Sequence, residues 1–458
     1  MRLPDLMSGP TASGQPPGLD DPSVVRLPAR LPGMGRHLCT AAGGGMFTRL
    51  VPALAGLLAA RWLDPAAFAI VAWSTMIVAL WQIVLDLGLT VTLVPAGRGP
   101  AERDEHFTIM LLLGALGAVC CTAAGNLLGA MLGQSTLGVV VMVQSLSLPL
   151  LAYHEPAISH GIRNLDFSPM FLRQVVPACI MAAATVGLAW NGAGPMSFAV
   201  GVTSATLAGA IVIPRSQGWR PALRRPGTVT LNAIRLGREV LVSRLCGFGV
   251  AQLDVMILGA GCGPHAVGLW RMATQWLGLP LGLVPPVLQV MSGHMNACKH
   301  DVDQLRRLHL RYSIASFVAM AALSLAVVLL SPILVRTFLG VRWTEAIPVI
   351  QAAFAVITGP MVMANNELAR VLQRNRSYLW FSVCRSVVTV IVLVIAAQIS
   401  FPAFIYGWAI CGMLATGANL WVFFRWCSPF RASRIYICLY GIGAVWTVLL
   451  LSLINPPP

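Results

Sequence analysis

Residues 310–334 read LRYSIASFVAMAALSLAVVLLSPIL. After Arg311 no charged residue occurs before Leu334. A helix over this stretch, rising about 1.5 Å per residue, spans a ~30 Å hydrocarbon core. Working outward, comparable apolar blocks recur near 39–60, 68–92, 107–131, 136–157, 169–190, 195–214, 237–259, 266–290, 346–367, 377–398, 401–424 and 434–454. The reading is an all-α polytopic membrane protein with about thirteen transmembrane helices, within a range of twelve to fourteen.

Composition agrees. Of 458 residues, 57% are hydrophobic and 10% charged, and the mean hydropathy is +0.76. Soluble domains carry roughly a quarter charged residues, so the polar surface for several water-soluble domains is missing. The net charge is +15, and every basic residue except Lys299 is an arginine. That lysine follows Cys298, so there is no phosphate-binding G-x-x-x-x-G-K-[ST] loop, and ATP-driven transport would need a separate ATPase. The eleven cysteines show no zinc or redox spacing and read as buried small apolar residues. No cofactor and no metal site are expected.

Arginine in the loops sets the orientation. With the N-terminus taken as cytoplasmic, twenty-four basic residues fall on the cytoplasmic side, and only Arg61, Arg336 and Arg342 on the other. This positive-inside asymmetry supports the helix count, since one missed helix would scramble the alternation. Basic loops beside an anionic leaflet also account for the charge, without nucleic acid as a partner.

The expected organisation has five parts. Residues 1–38 form a disordered basic cytoplasmic tail without the apolar run of a signal peptide. Residues 39–214 make a six-helix lobe, 215–236 a cytoplasmic linker containing Arg224-Arg225-Pro226-Gly227, and 237–424 a second six-helix lobe. Residues 425–458 add one extra helix, read as an appendage, and a short tail. Two such lobes suggest a duplicated transporter with a substrate path between them.

Four arginines fall inside apolar blocks: Arg49, Arg244, Arg271 and Arg385. A charge at that depth costs at least ~2.5–3.5 kcal/mol, so each needs a partner or water. Arg49 is read either as facing a cavity and contacting phosphate or sugar, or as paired with Asp86. Arg244 and Arg385 either line the cavity or snorkel. Arg271 lies at the depth of Asp254 across the turn near 262–263. Asp254 therefore either pairs with Arg271 or titrates and couples transport to an ion. Glu155, beside His154, is either a proton site or part of an interfacial polar cluster. Pro149, Gly282, Pro285-Pro286 and Gly359-Pro360 mark hinges or static kinks.

Several local patterns resemble one family. Ala59-Ala60-Arg61-Trp62-Leu63-Asp64-Pro65-Ala66-Ala67-Phe68 precedes Asp86-Leu87-Gly88-Leu89, and Gly161-Ile162-Arg163-Asn164-Leu165-Asp166-Phe167 follows the fourth block. Gln252-Leu253-Asp254-Val255-Met256-Ile257-Leu258-Gly259 precedes Ala266-Val267-Gly268-Leu269-Trp270-Arg271-Met272-Ala273, and Phe338-Leu339-Gly340-Val341-Arg342-Trp343-Thr344-Glu345-Ala346 comes later. In order and spacing, from about residue 45 to 424, these resemble the polysaccharide-transport family of oligosaccharide flippases, the Wzx-type proteins of the MOP superfamily, which are MATE-like in architecture.

The resemblance implies a flippase of the bacterial inner membrane working by alternating access. It implies a lipid-linked oligosaccharide on undecaprenyl diphosphate as cargo, for O-antigen, capsule or exopolysaccharide. It also implies a polysaccharide polymerase and chain-length proteins as partners. Physical chemistry agrees: a diphosphate-sugar head needs a wet, cationic groove inside the bilayer. Two alternatives remain at this point. A MATE-like exporter of small cations would favour acids over arginines in the cavity. A polymerase or ligase of lipid-linked sugars would need a larger outer loop than residues 335–345, and no nucleophile–base constellation points to a catalytic residue.

Overall fold

The structure is a computed structural model. It describes residues 50–87, 100–163, 170–216, 218–281, 301–356, 359–371, 375–426 and 434–453, with a few isolated positions between them (Phe47, Val284, Val287, Leu288, Met291, His294 and Met295). The tail at 1–38 and the sites Arg49, Gly282 and Pro285-Pro286 lie outside the described residues.

Among the described residues every element is a helix. In chain order these are α1 (Leu50–Trp62), α2 (Pro65–Asp86), α3 (Pro100–Met131), α4 (Thr136–Ser145), α5 (Ser147–Arg163), α6 (Met170–Trp190), α7 (Met196–Ser216), α8 (Thr228–Gly261) and α9 (Gly263–Leu281). They continue with α10 (Val302–Leu334), α11 (Ala346–Ala355), α12 (Gly359–Val371), α13 (Asn375–Ile399), α14 (Phe401–Trp426) and α15 (Arg434–Leu453). Over the described residues, each of the thirteen expected blocks is helical, two of them broken. Six stretches are by themselves long and apolar enough to cross a membrane: 65–86, 103–131, 136–156, 196–216, 303–339 and 401–421. Leu112, Val119, Leu127, Met131, Leu329 and Leu414 are more than half exposed, the apolar surface that a bilayer covers.

Local chemistry sets the boundaries. Asp64 caps α2 by accepting from the Ala67 amide at 2.8 Å, and Pro65 takes the first helical position, where no amide is needed. At its other end α2 stops at Leu87, whose φ of 47° is left-handed. The fourth block breaks into α4 and α5 at Leu146, and the tenth after Ala355. Pro149 and Pro360 then sit in the first turns of α5 and α12, where proline costs no helical hydrogen bond. The sequence had marked these prolines as the bends; each bend falls just before its proline. At α10 the chain passes Pro332 into a π-helical turn, Val335–Leu339.

The helices fall into two sets. In the first, α6 packs on α7, and α3 on α4 and α5; in the second, α13 packs on α14 and α10 on α12. Helix α2 crosses from the first set to lie against α8 and α9 of the second. The shared core along this seam includes Phe68, Trp73, Trp270, Trp343 and Phe404.

Helix α15 is built into the second set rather than appended to it. Tyr436 Oη and His309 Nδ1 are 2.6 Å apart, both buried, and His309 stacks on Phe423 with ring centroids 5.3 Å apart. Nearby, Asn365 Nδ2 donates to Asn419 Oδ1 at 2.8 Å. Farther along, Trp446 Nε1 donates to Ser324 Oγ (3.2 Å) and Thr447 Oγ1 to the Ala355 carbonyl (2.9 Å). Buried polar atoms placed on facing helices need such partners, so α15 completes this packing.

Candidate functional site between the two helix sets

The seam holds three groups of side chains. At the end carrying the α1–α2 turn, the chains meet without room for a side chain. A Cβ on Gly268 would overlap the Pro65 carbonyl oxygen, so the glycine permits the approach of α9. Trp343 is fully buried there, and its Nε1 donates to the carbonyls of Ala60 (2.8 Å) and Leu63 (3.2 Å). Phe68 meets Trp343 edge-on at 5.5 Å. Arg61 reaches across to the Thr337 carbonyl at 3.4 Å.

The second group lies deeper. Asp254 on α8 and Arg271 on α9 stand eight and nine residues either side of Cys262, about 12–13 Å from the turn along each helix. Asp254 and Arg271, level with each other, make no ion pair within 4 Å. Instead Trp270 Nε1 donates to Asp254 Oδ2 at 2.7 Å, and the Val255 amide to Oδ1 at 2.8 Å. Trp270 is fully buried, held edge-on by Phe404 (5.3 Å) and Trp408 (5.2 Å) of α14. The adjacent residue takes the carboxylate because an indole already held by two rings loses little freedom by donating, whereas a long guanidinium stem would lose more. Arg271 remains within electrostatic reach of Asp254, yet its guanidinium makes no ion pair within 4 Å among the described residues. One turn on, Gln275 Nε2 donates to the Ala53 carbonyl of α1 at 3.0 Å, while the buried Trp276 Nε1 has no partner among the described residues.

The third group sits at the other end of the bundle. Arg244 of α8 donates through Nη1 to Asp86 Oδ2 of α2, an ion pair across the seam. Asp86 was weighed as a partner for Arg49; the described residues give it Arg244. Glu155 and His154 on α5 are joined, with Oε1 to Nδ1 at 3.3 Å. Between Asp86 and Glu155, in electrostatic reach of both, lies His106 of α3, 2% exposed, its Nε2 without a partner among the described residues.

Arg385, on α13, lines a groove with residues of α14. Of the expected site residues, Asp254 and Arg271 are therefore neighbours, Asp86 and Arg244 are partners, and Glu155 joins the Asp86 end through His106.

The linker carries a feature that the sequence reading passed over. Asp104 accepts from Trp219 Nε1 at 2.9 Å, and Thr108 Oγ1 from the Arg224 amide at 2.9 Å. Glu105 accepts from the Gly227 amide at 2.9 Å and from Thr230 Oγ1. Arg103 lies 4.5 Å over the Trp219 ring. Thus an acid of α3 serves the N-terminus of α8, whose own cap, Gly227, has no side chain to offer. The signal was present in Glu102-Arg103-Asp104-Glu105, acids in the first turns of α3.

Comparison with known proteins agrees with this architecture. Residues 58–348 match the family described as polysaccharide biosynthesis protein. A curated relative, the amylovoran biosynthesis protein AmsL of Erwinia amylovora, is 24% identical over 264 residues, covering 56% of this chain and 68% of its own. Among solved structures, the lipid II flippase MurJ in an inward closed conformation superposes with a TM-score of 0.65 at 12% identity, covering 90% of this chain and 96% of that one. An inward-facing multidrug resistance MATE transporter of the MOP superfamily gives 0.60 at 16% identity, over 85% and 99%.

Proposed function

This chain belongs to the polysaccharide biosynthesis protein family, and from that premise we propose that it is a flippase for a lipid-linked oligosaccharide. The cargo is an oligosaccharide on undecaprenyl diphosphate, moved from the cytoplasmic to the outer leaflet of a bacterial inner membrane by alternating access. Its product becomes available to a polymerase and chain-length proteins assembling a surface polysaccharide. The loop arginines support a cytoplasmic N-terminus and linker.

The observation that carries the reading is Arg271. It projects from a helix on the seam, at membrane depth, and the acid that could neutralise it directly is engaged by Trp270. A guanidinium whose donors are uncommitted among the described residues suits a diphosphate, which takes bidentate, charge-assisted hydrogen bonds. Arg49 is a second cation for the same path, on the sequence argument. A cavity selecting small cations would want the opposite charge.

Deleting the gene in its native host and restoring it with variants tests the proposal. We expect loss of surface polymer with lipid-linked repeat units accumulating on the inner leaflet. Wild type should restore export, Arg271→Lys part of it, and Arg271→Ala none at normal membrane levels. Unchanged polymer in the deletion strain, with altered resistance to cationic drugs instead, overturns it in favour of an exporter.

A further inference from the structure

Where α2, α3 and α5 meet, at the linker end of the bundle, His106 is 2% exposed and its Nε2 has no hydrogen-bond partner among the described residues. Buried polar atoms are ordinarily satisfied, so an orphaned ring nitrogen asks for a ligand. Two carboxylates face it within electrostatic reach, Asp86 from α2 and Glu155 from α5. Each already has a base: Asp86 is paired with Arg244 of α8 across the seam, and Glu155 with His154 on its own helix. Helix α4, also packed on α3, carries no titratable side chain. The charged neighbours of His106 on α3 turn to the linker. Arg103 lies over Trp219, Asp104 accepts from Trp219, and Glu105 accepts from the Gly227 amide and meets Arg224 at 4.0 Å. An imidazole nitrogen between two carboxylates takes a proton, which turns an acceptor into a charged donor.

That proton decides what holds Asp86. Arg244 is 43% exposed, so its guanidinium is solvated whether or not it is paired. A charge on His106 has no water and depends on the carboxylates around it. Asp86 therefore stabilises the buried cation more than the exposed one, and a charged His106 also repels Arg244. We propose that His106 is a proton-binding site that governs the ion pair across the seam. A proton on Nε2 draws Asp86 toward α3, inside its own helix set, and frees Arg244 of α8, so that the two sets part at this end. The device does not depend on what is carried; it goes beyond the flippase reading by naming the residue through which proton concentration reaches the seam.

Purified full-length protein in lipid nanodiscs, without cargo, tests the site. Nitroxides are attached through p-acetylphenylalanine at Ser216 of α7 and Gln304 of α10, exposed residues of the two helix sets at this end. Distances from pulsed electron paramagnetic resonance should lengthen between about pH 8 and about pH 5.5 in the wild type. His106→Gln should keep the pH 8 distances at both values, with His106→Leu in its place if that variant does not fold. Asp86→Asn should give the longer distances at both, and His154→Gln should retain the acid shift. A shift that survives in the His106 variants or vanishes in His154→Gln, or a wild type that ignores pH, overturns the proposal. Normal surface polymer in the deletion strain is a separate outcome, which sinks the flippase reading and leaves this site standing.

Discussion

Arg244 and Asp86, 158 residues apart in the chain, form an ion pair that joins α8 to α2 across the seam. Arg244 is 43% and Asp86 16% exposed, so the pair is not sealed into the packed core. Its position matters more than its strength, because any separation of the helix sets at this end must break it. Asp86→Asn and Arg244→Gln should each change transport severalfold while leaving thermal stability nearly unchanged, and the swap Asp86→Arg with Arg244→Asp should return activity toward wild type. Two single variants whose effects simply add would show that the pair does not act as a unit.

Trp270 and Asp254 make the opposite kind of contact, wholly within the protein. Trp270→Phe removes the indole donor and leaves the carboxylate short of a partner, at a cost of about 1–3 kcal/mol. Asp254→Asn keeps an acceptor for the indole and should cost less. Thermal unfolding in detergent should therefore rank Trp270→Phe below Asp254→Asn, and Trp270→Phe should cost less in the Asp254→Asn background. Equal losses in both backgrounds would contradict the hydrogen bond.

Gly268 tests the closed end. In Gly268→Ala the added methyl meets the Pro65 carbonyl, and either the α1–α2 turn moves or the ends part, with a strain of about 1–3 kcal/mol. A cysteine introduced at Ala66 should become more reactive to a water-soluble maleimide in the Gly268→Ala protein. Reactivity equal to that in the parent would show that the contact yields without opening.

Glu105 fastens the linker. In inside-out membrane vesicles, Glu105→Ala should speed tryptic cleavage after Arg224 severalfold, because the Gly227 amide and Thr230 lose their acceptor. Arg220 and Arg225 precede prolines and resist cleavage, and fragments cut at Arg215 or Arg235 are told apart by mass. Cleavage only from right-side-out vesicles would reverse the topology.

The helices were legible because each apolar block is set by a single requirement, burying the backbone in hydrocarbon, that any twenty residues can satisfy alone. Depth was legible for the same reason: Asp254 and Arg271 do lie level on facing helices. What depth cannot supply is rotation about the helix axis. One residue is a turn of 100°, enough to give the carboxylate to Trp270 instead of Arg271. Arg244 and Asp86 lie too far apart in sequence for any local pattern to join them. The same holds for His106, whose neighbours Asp86 and Glu155 come from two other helices.

Thr447 donates to the carbonyl of Ala355, which the break after α11 leaves without a helical partner among the described residues. Ninety-two residues separate donor from acceptor. At a synthesis rate of about 5–20 residues per second, that carbonyl waits roughly 5–20 s for the residue that satisfies it. Throughout that interval the tenth span must keep the gap turned toward water or toward the insertion machinery. A chain released before residue 447 would carry an open break into the lipid, and cellular quality control would meet it there. Helix α15 thus closes, late in synthesis, a gap that opened ninety-two residues earlier.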